Sequence, residues 1–128
     1  PNQVFRHIKK FRFNCLAKRH RTPENTAIYD WYVDNLLHRH VLMPSGEVTI
    51  QDCGNPSGQV STTMDNNLIN TFLQAFEFAY FRKDLTFEAL CEQWSHYDTL
   101  IYGDDRLFTT PTLPDDYVNR VVAMYRDI

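Results

Sequence analysis

Thr99-Leu100-Ile101-Tyr102-Gly103-Asp104-Asp105-Arg106-Leu107-Phe108 sets the architecture expected of this chain. Residues 97–102 and 107–110 are strand-like, and Gly103-Asp104-Asp105 lies between them. Apolar and β-branched runs around a glycine bend predict an antiparallel hairpin. Such a bend pushes two consecutive carboxylates out at its tip, where hard oxygen donors suit a divalent cation. Gly-Asp pairs also occur in ordinary solvated turns, so the hairpin alone does not assign a chemistry.

About forty residues upstream, Ser57-Gly58-Gln59-Val60-Ser61-Thr62-Thr63-Met64-Asp65-Asn66 gives the spacing Ser-Gly-x-x-x-Thr-x-x-x-Asn at the start of a long helical pattern. Thr62 and Asn66 then fall one turn apart on one helix face. A carboxamide offers both a donor and an acceptor, which suits reading a ribose 2′-hydroxyl. Ser57 and Gly58 sit in the preceding loop, where backbone N–H groups can approach phosphates or a template. A capped core helix with polar residues such as Asp65 and Gln74 on its wet side is the plain alternative. It does not account for the spacing together with the downstream aspartates.

Working outward, Val4, Phe5, Ile8, Phe11 and Leu16 predict an amphipathic helix over 3 to about 17 with a basic face. Thr22-Pro23-Glu24 is a helix start, and that helix is expected to run to about His40 with Ile28, Trp31, Tyr32, Leu36 and Leu37 on its apolar side. Val41–Met43 and Val48–Ile50 flank a Pro44-Ser45-Gly46-Glu47 turn. From Ser61, Met64, Leu68, Phe72, Phe76 and Tyr80, widened by Ile69 and Leu73, predict a helix to about 82–84. Leu85–Trp94 reads as a shorter helix, and Asp115-Asp116 opens a last one. The fold class is α+β: a hairpin carrying Asp104 and Asp105, backed by the helices at 3–17 and 61–83.

The chain has 128 residues, of which 43% are hydrophobic, so it is globular in composition and too short for a multidomain enzyme. Its net charge of −3 hides a polarity. Residues 1–21 carry seven basic side chains and no acid, while the remainder carries six basic and sixteen acidic ones. That asymmetry suits a chain that meets a phosphate backbone with one segment and cations with another, and Lys9, Lys10, Arg12, Lys18, Arg19 and Arg21 are the candidate phosphate-backbone contacts. A solvated helix face is the other reading. Cys15, Cys53 and Cys91 are widely spaced and expected to be buried, reduced thiols of an intracellular protein. No charged-then-apolar leader or membrane-length run is present in the sequence. The missing initiator Met and the helical pattern still running at Ile128 read as the two ends of a fragment. A P-loop at Gly54–Gly58 has the wrong spacing and lacks Gly-Lys-Ser/Thr, and His38-x-His40 has no partners to complete a metal site.

The Ser57/Gly58/Thr62/Asn66 run and Tyr102-Gly103-Asp104-Asp105 together resemble motifs B and C of RNA-dependent RNA polymerases of positive-strand RNA viruses. The spacing is shared by picornavirus-, calicivirus- and astrovirus-like polymerases. Arg21–Asn25, Gly54–Gln59, Ser61–Asn67, Gln74–Tyr80 and Tyr102–Leu107 look like the astrovirus branch, and the likeness covers the whole chain. It implies a central palm with part of the fingers: 1–21 the palm helix after motif A, 22–55 a palm–fingers connection, 56–83 motif B, 97–110 motif C and 115–128 the start of motif D. It also implies Mg²⁺ or Mn²⁺ held by Asp104 with Asp105. Ribose selection falls to Asn66 assisted by Thr62, with a mobile loop at Ser57-Gly58. The implied partners are RNA template and primer, nucleoside triphosphates, the remaining fingers and thumb, and other viral replication proteins; the implied location is the host cytoplasm at membrane-associated complexes. Motif A, Asp-x-x-x-x-Asp, is not found in the chain, since Asp30-Trp31-Tyr32-Val33-Asp34 is one residue short and lies in a predicted helix. Motif A is expected before Pro1 and the motif D lysine after Ile128, so the fragment alone is expected to be inactive. A reverse transcriptase, which also meets Tyr-x-Asp-Asp, and a non-catalytic RNA-binding domain are the rivals.

Overall fold

A computed structural model describes residues 1–127. It is a mixed helix and sheet structure of the α+β kind, with two separate antiparallel hairpins and two compact units, 1–69 and Asn70 onward.

The first unit begins with α1 (Asn2–Asn14), a 3-10 turn at Lys18–His20 and α2 (Pro23–Leu37). Thr22 caps α2 by accepting from Asn25 N–H at 3.2 Å, and Pro23 occupies the first helical position, where no N–H is needed. α2 ends at Leu37, earlier than the expected His40, because His38 turns extended and Arg39 and His40 enter a strand. That strand, β1 (Arg39–Leu42), pairs with β2 (Val48–Gln51) in the register Arg39↔Gln51 to Leu42↔Val48. Phe5, Val33 and Leu37 form the core, with Tyr29, Tyr32, Leu36 and Ile69 packed against it. The apolar faces differ from expectation: Phe11, Leu16, Ile28 and Trp31 are exposed.

α3 (Thr62–Tyr80) starts in the first unit and continues into the second, which adds α4 (Phe87–Trp94), β3 (Asp98–Tyr102), β4 (Asp105–Thr109) and α5 (Tyr117–Asp127). The last residue of the expected 115–128 segment, Ile128, lies outside the described residues. Thr86 caps α4 through Ala89 N–H at 3.3 Å. Phe78 is buried under Trp94 and Tyr97, with ring centroids 5.2 and 5.1 Å away, and Tyr97 stacks on Phe108 at 5.8 Å. An isolated two-stranded hairpin is marginal in water, so this aromatic packing is what holds β3–β4 in place.

The expected stripe of α3 is also corrected. Met64 and Phe72 are exposed, whereas Asp65, Gln74 and Glu77 are buried, as is Phe78. Asp65 and Gln74 therefore do not lie on a wet face. All three cysteines are exposed rather than buried. Among the described residues no helix is long and apolar enough to cross a membrane.

Candidate functional site

The hairpin tip is tighter than the sequence implied. Tyr102 pairs with Asp105, so only Gly103 and Asp104 form the turn and Asp105 is the first residue of β4. Gly103 has φ +64° while Asp104 keeps a negative φ, the pattern of a type II′ turn with glycine at its first central position. That geometry matches the right-handed twist of the strands, and a side chain at Gly103 would be strained there. Both aspartates are exposed, and among the described residues neither carboxylate joins an ion pair. The turn is held from within its own unit. Asn70 on α3 places Nδ2 3.0 Å from the Asp104 carbonyl and 3.4 Å from those of Gly103 and Asp105. The backbone beneath the carboxylates is thereby tied to a helix.

Two consecutive exposed carboxylates fit a hard divalent cation, which takes oxygen ligands and keeps part of its shell for water and phosphate. They are not a complete cage: among the described residues no group of three His, Cys, Asp or Glu side chains comes together around a metal position.

In the first unit, the Ser57–Asn66 segment is a loop folded back on the helix it precedes. Ser57 and Gly58 are exposed, and Gly58 has φ +78°. Thr62 donates its hydroxyl to the Pro56 carbonyl at 2.6 Å, and Thr62 N–H donates to the Gln59 carbonyl at 3.0 Å. Gln59 in turn donates to the Tyr32 hydroxyl, and accepts from Ser61 N–H at 2.5 Å. Arg39 donates to the Gly54 carbonyl at 3.1 Å and to Gln51 Oε1 at 2.6 Å, pinning the loop's start to β2. Thr62 thus closes the loop, and Asn66, one turn on, is half-buried beside Asn55.

Beneath this loop lies a buried ionic cluster. Asp65 accepts from Lys9 Nζ at 2.7 Å, from Arg12, and from the Ser61 hydroxyl at 2.7 Å. Lys9 Nζ also reaches Ser61 Oγ at 2.9 Å and lies over the Tyr32 ring, 5.0 Å from its centroid. Lys9 is therefore a buried structural cation rather than a surface charge. Lys10, Lys18, Arg19 and Arg21 remain exposed. Lys10, Lys18 and Arg21 line an open cavity of about 760 Å³ with Arg6, Phe13 and Tyr29. Burial raises the Tyr29 hydroxyl above its ordinary range, so it stays a neutral donor there.

The second unit has its own buried charge. Glu77 accepts from Arg106, from Tyr117 at 2.9 Å and from Tyr125 at 2.8 Å, joining α3, β4 and α5. Burial, and then hydrogen bonding to Glu77, pushes both tyrosines well above the usual range. No motif in the sequence marks Glu77, Asn55 or Asn70 as a site residue. The only signal for the asparagines was local: Asn55 in a Gly-Asn-Pro-Ser-Gly loop, and Asn70 four residues after Asn66.

A family model described as viral RNA-dependent RNA polymerase matches residues 1–128. The chain is 64% identical over 128 residues to the non-structural polyprotein 1AB of Ovine astrovirus 1 and 59% identical to that of Mink astrovirus 1. It is 43% identical over 135 aligned residues to the polyprotein 1AB of Turkey astrovirus 1. Each alignment covers the whole chain but only 10, 9 and 8% of the respective polyprotein, so the chain spans about a tenth of these relatives or less. No solved structure matches it significantly.

Proposed function

The chain belongs to the viral RNA-dependent RNA polymerase family, and from that premise we propose that it is the motif B and motif C portion of a polymerase palm with part of the fingers. In this reading 1–21 is the palm helix after motif A, 22–55 the connection to the fingers, 56–83 motif B, 97–110 motif C and 115–128 the start of motif D. The complete enzyme copies RNA by in-line attack of a primer 3′-hydroxyl on the α-phosphate of a nucleoside triphosphate. It works with the remaining fingers and thumb and other viral replication proteins, in the host cytoplasm at membrane-associated complexes.

The observation that carries the proposal is the two-residue turn that presents Asp104 and Asp105 as adjacent exposed carboxylates. Asp104, supported by Asp105, would hold Mg²⁺ or Mn²⁺ together with a motif A carboxylate expected upstream of Pro1. When bound, the two cations stabilise the attacking and leaving oxygens of the displacement. The chain's own residues do the rest. Asn70 fixes the backbone of the turn, so the carboxylates need little reorganisation. Asn66 selects ribonucleotides at the 2′-hydroxyl, Thr62 shapes the loop that carries Ser57 and Gly58, and Lys10, Lys18, Arg19 and Arg21 supply positive charge for RNA.

The test is template-directed extension of an RNA primer by the complete polymerase on an RNA template, with ribo- and deoxyribonucleotides compared. Preference for ribonucleotides in the presence of Mg²⁺ supports the proposal. Preference for deoxyribonucleotides would make it a reverse transcriptase, and absence of synthesis by an intact, RNA-binding complete protein would favour a non-catalytic RNA-binding domain.

A further inference from the structure

The carboxamide of Asn66 is not free to turn. Asn55 Nδ2 lies 2.8 Å from Asn66 Oδ1 and 3.3 Å from the Thr62 carbonyl. A backbone carbonyl can only accept, so the end of Asn55 that faces Thr62 must be its NH₂. The same NH₂ faces Asn66, so the atom of Asn66 turned toward it must be the oxygen. Two backbone facts hold this arrangement: the Thr62 carbonyl belongs to the first turn of α3, and Arg39 and Thr62 anchor the loop on either side of Asn55. Asn55 Oδ1 is itself buried with no hydrogen-bond partner among the described residues. An unmet buried acceptor carries an uncompensated desolvation cost. Reversing the amide would turn its oxygen toward two acceptors, the Thr62 carbonyl and Asn66 Oδ1.

We propose that Asn55 is a specificity-determining positioning residue: by occupying Asn66 Oδ1, it leaves Asn66 Nδ2 as the end that meets a nucleotide. Nδ2 of Asn66 has no partner among the described residues, and is not buried without one. Asn66 then meets a ribose 2′-hydroxyl as a donor only, with the hydroxyl oxygen accepting. A 2′-deoxynucleotide offers no acceptor at that place and loses the bond. A rotating Asn66 would spend part of its time with the wrong end forward, and discrimination would fall. This inference rests on the reading of Asn66 as the ribose-selecting residue.

The measurement is the ratio of kcat/KM for a nucleoside triphosphate to that for its 2′-deoxy counterpart, in single-nucleotide primer extension by the complete polymerase. The ratio cancels the fraction of enzyme that is folded, so a purely structural loss leaves it unchanged. Asn55→Ala is expected to lower the ratio about three- to tenfold, the worth of one oriented hydrogen bond. Asn55→Asp keeps the shape of the side chain, reverses the polarity toward Asn66, and serves where the alanine variant fails to fold. It is expected to lower the ratio at least as far, and Asn55→Ala combined with Asn66→Ala should go no lower than Asn66→Ala alone. A wild-type ratio in both Asn55 variants, with the ratio lowered in Asn66→Ala, overturns the inference and leaves the polymerase reading intact. A wild-type ratio in Asn66→Ala removes the role of Asn66 and this inference with it. Absence of synthesis by the wild-type enzyme instead refutes the proposed function.

Discussion

Gly103, Asp104 and Asp105 were legible in the sequence because a glycine between strand-like runs has few other uses. Their exact division was not. The turn holds two residues instead of three because Gly103, at φ +64°, closes a type II′ hairpin that lets Asp105 pair with Tyr102. Asn70 was invisible for a different reason: its target is backbone carbonyl, which leaves no trace in side-chain chemistry at positions 103–105. Asn70→Ala is expected to destabilise the second unit by about 1 kcal/mol, the net worth of a typical hydrogen bond. Hydrogen exchange checks this: amides of Gly103–Arg106 should exchange faster in the variant, while those of α4 change little. Uniform acceleration across the unit would mean that Asn70 serves general packing and not the turn.

At the scale of elements, α2 and α3 show what periodicity captures and what it misses. Thr22-Pro23 marked the start of α2 correctly, since capping chemistry is local. The buried side of α3 was misread because apolar spacing is blind to ion pairs with distant partners. Asp65 is buried by Lys9 and Arg12, more than fifty positions earlier, and Glu77 by Arg106, Tyr117 and Tyr125, which follow it by 29, 40 and 48. Removing Asp65 would leave Lys9 charged and buried. Asp65→Ala is therefore expected to cost the first unit roughly 3–5 kcal/mol, read as a shift in the urea midpoint. A change under about 1 kcal/mol would show that Lys9 finds another partner.

The Glu77 cluster carries a pH prediction. Tyr117 and Tyr125 have raised values when folded, from burial first and Glu77 second, whereas unfolded tyrosines ionise near about 10. The folded state then binds more protons than the unfolded one. Their contribution is fully present below about pH 10 and is lost as pH rises past it. Urea midpoints should hold up to about pH 10 and fall as the pH rises further, with tyrosinate absorbance from these two residues appearing only as the unit unfolds. Early titration of every tyrosine without loss of structure would contradict the cluster.

Over the whole molecule, family membership was legible because two motifs with fixed spacing survive in one short chain, while the two units and the exposed apolar residues were not. Trp31, Ile50, Phe87, Leu100, Leu107 and Val118 are all well exposed, and surface of this kind commonly marks packing against other protein. Residues 1–128 alone are expected to give no primer extension, because the carboxylates at 104 and 105 lack the motif A ligand proposed to complete them. Measurable extension by the chain alone would contradict that.

The most direct measurement is single-turnover primer extension by the complete polymerase carrying Asp104→Asn, which keeps the shape of the turn and removes one of the two carboxylate charges proposed to hold the cation. With RNA affinity unchanged, the rate is predicted to fall about a thousandfold or more, the scale of several kcal/mol of lost charge stabilisation. A rate near that of the wild-type enzyme would show that the hairpin is only a solvated turn.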